Sequence, residues 1–441
     1  MNTYLITGGT ILSFDSAAPV LTDHAILVED GLIKRIAPAS EFDTLDLEVI
    51  DAAGKVIMPG LINAHHHFYS TLVRGLGKAA PSKDFNEVLE NLWWRLDKKL
   101  VLDDVYVSAM VSIFDGIRHG TTTIIDHHAS PFAVTGSLAR IGDAVTECGI
   151  RANLCYEVSD RDGAAISAEG IAENAAWIKA VNAQPNPMLK GLFGMHAAFT
   201  LGDDTLQKIA DQVHSLNCGV HVHAAEAESD QIFNINHHGK RVIERFEDFG
   251  LINDKSIFAH GVYINPKEML ILAKHQAALV TNPQSNLNNA VGIADICKMS
   301  ELGLLVGLGT DAMTVNMLEE LRVGLWAQHW RQTNPSVGFM EIASTLLFNN
   351  PRIANRYWGN VGILKEGYAA DIIMIDYHAP TPLDANTWIG HVIFGISQAI
   401  VDTTICNGNI LMWNKQLTIA PDEAEIAAWA RELATKLWER F

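Results

Sequence analysis

The sequence predicts an α/β protein: a (β/α)8 TIM barrel with a small composite β-sandwich domain built from the N- and C-terminal segments. Three observations predict it. The middle of the chain alternates strand-length apolar runs with longer stretches of helical period. Both ends show short β-rich runs punctuated by Gly, Pro and Asp. Histidines and acidic residues stand directly after several of the apolar runs, where active sites of barrels are built.

The elements follow in order. Tyr4–Thr7, Ile11–Phe14, His24–Glu29, Leu32–Ile36 and Glu48–Asp51 read as short strands, with Asp30-Gly31 as a hairpin turn. Barrel strands are expected at Val56–Ala64, Thr121–Asp126, Arg151–Glu157, Lys190–His196, Gly219–Ala225, Ser256–Ala259, Ala278–Asn282 and Leu304–Gly309. They are nearly continuous apolar runs, as burial on both faces of a parallel sheet requires. Helices are expected at Leu102–His119, Gly136–Cys148, Ala168–Ala183, Asp203–Asn217 and Pro266–His275. Beyond residue 362 the β pattern returns at Asp371–Ile375, Thr403–Cys406 and Ile410–Trp413, with an Asn407-Gly408 turn, and Pro421–Phe441 has a helical period. Neither end alone has enough strands to bury a face. Residues 1–57 and 363–420 are therefore expected to form one composite domain, 58–362 the barrel, and 421–441 a C-terminal helix.

Composition excludes several classes. The chain has 441 residues, of which 48% are hydrophobic and 19% charged, which argues against disorder. A net charge of −19 repels phosphate backbones and anionic membrane faces, so neither nucleic acid nor a membrane is expected as partner. Five dispersed cysteines (Cys148, Cys155, Cys218, Cys297 and Cys406) make no Cys-x-x-Cys pair. This pattern points to reduced thiols in the cytoplasm. It also excludes the zinc deaminase architecture that needs Pro-Cys-x-x-Cys. The segment from Met1 to Asp15 has neither the basic region nor the apolar run of a signal peptide.

The chemistry lies at the strand ends. The first run closes on His65-His66-His67, and strand alternation points His65 and His67 the same way. The fifth closes on His221-Val222-His223 with Glu226 three residues on; His221 lies one layer deeper and reads as a hydrogen-bonded interior histidine. The sixth closes on His260 and the eighth on Gly309-Thr310-Asp311. Three imidazoles and a carboxylate over one barrel mouth match an open, hydrolytic metal site.

These motifs, with Gly120–Asp126, Asn282-Pro283-Gln284-Ser285-Asn286 and the run Gly362–Asp371, resemble the amidohydrolase superfamily, in its cytosine deaminase and atrazine chlorohydrolase-like group, over essentially the whole chain. His65-x-His67-Phe68-Tyr69-Ser70, Asn91–Asp97, Asp126–Pro131 and Asp160-Arg161 bring it nearest to the SsnA-type aminohydrolases, which are associated with purine catabolism. The resemblance implies one divalent ion, Zn²⁺ with Fe²⁺ as alternative, held by His65, His67, His223 and Asp311. It implies Glu226 as proton shuttle and His260 as the residue orienting the attacking hydroxide, with Asp311 also catalytic. It implies a homo-oligomer acting on a small heterocyclic substrate. Strand four ends in His196 and has no lysine there to carry a second metal, which favours a mononuclear site. His196 matches a substrate-contacting position, and Trp94, His128, Arg161 and Asn286 are further candidates for the substrate wall. One or both of Trp93 and Trp94 could instead pack in the core, and Arg161 with Asp160 could be a surface pair. The leading expectation is a hydrolytic deaminase of a purine-like heterocycle. A hydrolase with another leaving group (a chlorohydrolase or cyclic amide hydrolase) and a non-catalytic scaffold are the alternatives.

Overall fold

The computed structural model describes residues 3–42, 46–183, 186–312 and 314–441. Eight parallel strands form the barrel. The first is Leu61–His66, the second Thr121–Asp126 and the third Arg151–Leu154. The fourth is broken at Leu192 into Leu189–Gly191, which pairs with the third, and Phe193–Ala197, which pairs with the fifth. Val220–Ala224, Ile257–His260, Ala278–Thr281 and Leu305–Leu308 complete the set. The ring closes through a parallel bridge between His66 and Asp311, where the backbone N–H groups of Thr310 and Asp311 both donate to the His65 carbonyl. Gly309 makes this closure possible: a Cβ there would lie 2.7 Å from the His65 carbonyl oxygen.

The expected run Val56–Ala64 is in fact two strands. Lys55–Pro59 pairs antiparallel with Ile372–Asp376 in the sandwich, and Leu61–His66 starts the barrel. Gly60 is the joint; a Cβ there would meet the Thr122 side chain at 2.3 Å. Burial alone does not show this break, because both halves are buried; the Pro59-Gly60 pair inside the run is its mark in the sequence.

The sandwich has a four-stranded sheet from the N-terminal segment, Leu32–Pro38, His24–Glu29, Thr3–Thr7 and Glu48–Asp51. Its second sheet, of seven strands, mixes both chain ends around the Lys55–Pro59 and Ile372–Asp376 pair. Ile6, Ile26, Val28 and Ile33 of the first sheet share a core with Ile57, Ile372, Met374 and Ile405 of the second. Arg151 at the foot of the third barrel strand ties the two units together. Its Nε lies 2.9 Å from Asp371 Oδ2, and both side chains are buried. The last helix, Glu423–Arg440, is capped by Asp422, whose carboxylate accepts the Glu425 N–H. It packs on the helix Leu102–Arg118 through Trp429 against Tyr106 and an Arg440–Asp104 ion pair.

Candidate active site

The strand ends converge as the alternation requires. His65 and His67 point into the barrel mouth, while His66 points away and is held by Ser112 Oγ (2.7 Å) and Thr310 Oγ1 (3.1 Å). His65 Nε2 and His67 Nε2 lie 3.3 and 2.9 Å from Asp311 Oδ1, and His223 Nε2 lies 3.2 Å from His67 Nε2. The ring of His67 is fixed by Nδ1–H donating to the His127 carbonyl. Ligand atoms of His65, His223, His260 and Asp311 all lie within 4.8 Å of one another. His65 Nε2 and His260 Nε2 are buried without a hydrogen-bond partner. Nitrogen and carboxylate donors so arranged fit a divalent transition metal.

The backbone is unusual at two of these positions. His260 and Asp311 have φ of 74° and 59°, in the left-handed region that non-glycine residues avoid. Such conformations persist where surrounding structure holds them, typically at functional sites. Burial pushes the Asp311 carboxyl up, but the neighbouring imidazoles, His65 and His67 foremost, outweigh it and hold the pKa well below the usual range. Glu226 goes the other way. Burial, moderated by His260 and aided by Asp311, raises it to about 7. Its Oε2 is 3.5 Å from His260 Nε2, and its Oε1 accepts from Asn289 Nδ2 at 3.5 Å.

The site opens into a cleft of about 1140 Å³ counted out to solvent. His67, His196, His223, Glu226 and Asp311 line its floor, with Tyr69, Phe85, Trp93, Trp94 and Phe199 around it. Both tryptophans reach the cleft; Trp93 also packs on the core. Trp94 stands 6.1 Å from the His196 ring, and its Nε1 is buried without a partner. His196 is held by Thr200 Oγ1 at 2.7 Å. Arg161 lines the cleft, packed 5.3 Å over Trp94. It pairs with Asp97 and Asp162. Asp160 turns away to cap Gly202 N and Thr205 Oγ1, both at 2.8 Å.

Two expected substrate-wall residues lie elsewhere. His128 is not on the cleft. The second strand continues its pairing past Asp126, bridging His128 to Tyr156, and turns the ring behind Tyr69. Asn286 is buried beneath the site, where its Oδ1 accepts from His260 Nδ1 at 2.8 Å; it aims that ring and does not touch the cleft. The residue that sequence reasoning passed over is Glu157. It closes the third expected strand, so the strand-end rule could have found it, and it lines the cleft. Asp97, the last residue of the Asn91–Asp97 motif, and Phe199 also line the cleft, and sequence reasoning gave neither of them a role.

The family model for the amidohydrolase family matches residues 56–411. The chain belongs to the amidohydrolase family. This membership covers the barrel, with its strand-end histidines and Asp311, and most of the returning sandwich strands. Among curated relatives, a 5-methylthioadenosine/S-adenosylhomocysteine deaminase of Carboxydothermus hydrogenoformans is 32% identical, covering 99% of this chain and 98% of its own. A 5′-deoxyadenosine deaminase of Methanobrevibacter smithii is 28% identical over 95% of this chain and 99% of its own. Among solved structures, an adenosine deaminase from Xanthomonas campestris with bound zinc superposes with a TM-score of 0.87 at 21% identity, covering 99% and 98% of the two chains. An atrazine chlorohydrolase from Arthrobacter aurescens, complexed with zinc, gives 0.82 at 22% identity over 98% and 100%. The two superpositions establish the barrel-plus-sandwich fold.

Proposed function

We propose that this amidohydrolase is a hydrolytic deaminase of a purine-like heterocycle, an adenine nucleoside in the first instance. The observation that carries the reading is Glu226, a buried carboxyl poised near 7 beside the ligand cluster. A group with that pKa at working pH can deliver and retrieve a proton in one cycle. The names of the two deaminase relatives support the choice of an adenine nucleoside.

In this reading His65, His67, His223 and Asp311 hold a divalent ion, with Zn²⁺ first and Fe²⁺ as the alternative. Such an ion supplies a hydroxide nucleophile near neutral pH by lowering the pKa of water to roughly 7. The chain's own residues do the rest. Trp93, Trp94 and Phe199 offer flat faces to the ring and displace water from the cleft. Glu226 protonates the ring nitrogen next to the carbon that bears the amino group, where negative charge would otherwise build. Asp311, held ionised, accepts a proton from the nucleophile. His260, aimed by Asn286, orients the nucleophile. The exocyclic nitrogen then takes a proton and leaves as ammonia.

Protein purified without chelator tests the reading. Metal content and ammonia release are measured against 5′-substituted adenosines, adenosine, aminopurines, oxopurines, aminopyrimidines and triazines. Bound metal with ammonia release from an adenine ring supports the proposal. Bound metal without ammonia from any ring overturns the deaminase reading, and no metal after reconstitution overturns the ligand assignment. A cytoplasmic homo-oligomer belongs to the same reading, checked by light scattering and cell fractionation. Among the described residues, no helix is long and apolar enough to cross a membrane.

A further inference from the structure

The helix that follows the eighth barrel strand, Met317–Gln332, is apolar on two faces. Leu318, Leu321 and Leu325 face inward and are buried. The opposite face of such a helix is ordinarily polar. Here the outward stripe, at spacings of three and four, carries Arg322, Val323, Trp326, His329 and Trp330. Trp330 is 80% exposed and Trp326 50%. The helix Trp388–Phe394 packs beside it and adds Phe394, 58% exposed. Scattered apolar residues are ordinary on a surface, but two tryptophans one turn apart on one stripe make a patch that needs an occupant.

The stripe also holds a cation with an unmet bond. The Arg322 guanidinium lies 5.0 Å from the centroid of the Trp326 ring, and its Nε is buried without a hydrogen-bond partner. A second copy of the chain complements this arrangement. In a two-fold contact the same patch serves both subunits, so residue i meets j and j meets i. With the two helices antiparallel and Trp326 on the axis, Trp326 meets its own counterpart. Arg322, four residues before it, then lies opposite Trp330 of the partner subunit, four residues after it. Two guanidinium–indole pairs thus flank an aromatic centre. Glu319 falls opposite Thr333, so like charges do not meet across the axis.

The area is sufficient. At those exposures Trp326, Trp330 and Phe394 leave roughly 300–450 Å² of aromatic surface on each copy. Two copies bring roughly 600–900 Å², and a small stable interface of about 1,200 Å² that is about 65% apolar needs ~800 Å². A net charge of −19 disfavours an anionic membrane as the occupant.

We propose that the outward face of Met317–Gln332, centred on Trp326 and Trp330 and flanked by Phe394, is a two-fold interface on which two copies of this chain associate. This names the surface of the homo-oligomer in the proposed function and rests on no step of the chemistry there.

Sedimentation velocity of the full chain, at low micromolar concentration and physiological salt, tests it. The parent is expected to be dimeric or a multiple of dimers. Trp326→Glu sets two carboxylates against each other on the axis and should raise the dissociation constant of this contact by at least about 30-fold. Trp326→Arg should do the same. An equimolar mixture of the two variants should associate again, because each glutamate then faces an arginine. That recovery also shows that both variants are folded. A monomeric parent overturns the proposal, and the homo-oligomer with it. An assembly that survives Trp326→Glu overturns this face alone and leaves a homo-oligomer built on another. Variants that fall apart singly and stay apart when mixed overturn the arrangement in which Trp326 meets itself.

Discussion

His65 Nδ1 stands 2.8 Å from His221 Nε2, and both rings are fully buried. Beyond His221, its Nδ1 lies 3.7 Å from Cys155 Sγ, and that thiol donates to the Asp126 carbonyl at 3.3 Å. With the thiol hydrogen committed, His221 Nδ1–H points at sulfur and its Nε2 accepts. His65 therefore donates from Nδ1 and presents Nε2 as a lone pair to the ligand cluster. Partners of this kind fix the tautomer and orientation of metal-binding histidines.

His221→Leu removes that acceptor and leaves His65 free to adopt the other tautomer. Metal affinity is expected to fall by roughly 10- to 100-fold, with His221→Gln retaining part of it through its amide oxygen. Competition with a chelator of known affinity measures the change. Unchanged affinity in His221→Leu would remove the orienting role.

Glu226→Gln keeps the shape of the side chain and removes its titratable proton. We expect a loss of at least about 10²-fold in kcat, with metal content unchanged. Steady-state rates beside elemental analysis separate the two effects, and a retained rate would sink the proton-shuttle role.

Trp94→Ala removes one flat wall of the cleft while leaving the ligand cluster intact. Stacking of this kind contributes about 0.5–1.5 kcal/mol beyond area burial. The expected result is a KM raised by roughly tenfold at most, with a smaller change in kcat. An unaltered KM would place the substrate ring elsewhere in the cleft.

Glu320 gives stability a pH dependence away from the ligand cluster. It is fully buried, accepting the Gln284 N–H at 2.7 Å, and burial raises its pKa from 4.5 to about 8. The folded state thus holds a proton that the unfolded chain releases above 4.5. Glu320's contribution is fully present below that value and is lost as pH rises through about 8. Glu320→Gln should therefore gain in melting temperature relative to the parent between pH 6 and pH 9. Parallel melting curves for the two proteins would contradict the assignment.

Arg151 and Asp371 form a buried pair between barrel and sandwich. Nε meets Oδ2 at 2.9 Å and an NH2 nitrogen meets Oδ1 at 3.2 Å. Either single change, Arg151→Met or Asp371→Asn, leaves an uncompensated buried group and should cost about 3–5 kcal/mol. The double change Arg151→Met with Asp371→Leu should recover most of that loss in denaturant unfolding, and failure to recover would point to a packing role.

Much of this protein is determined locally by its sequence. Alternation along a strand sent His65 and His67 inward and His66 outward, because successive side chains on a strand must face opposite ways. The repeat of apolar run and amphipathic helix admits few topologies, and the strand ends of a barrel share one mouth, so His223, Glu226, His260 and Asp311 were legible as a group. The tertiary structure alone decided the rest. The break at Gly60 was passed over because sandwich and barrel bury their strands alike, although Pro59-Gly60 marks it. His128 and Asn286 were misplaced because a loop's path is set by its neighbours: continued pairing with Tyr156 drew His128 behind Tyr69, and the His260 ring claimed Asn286. Asp97 met Arg161 across 64 positions of sequence, and His127 met Glu157 across neighbouring strands. Contacts of this kind carry no local pattern, because the partners are brought together by barrel closure and by the burial of groups that must then find one another.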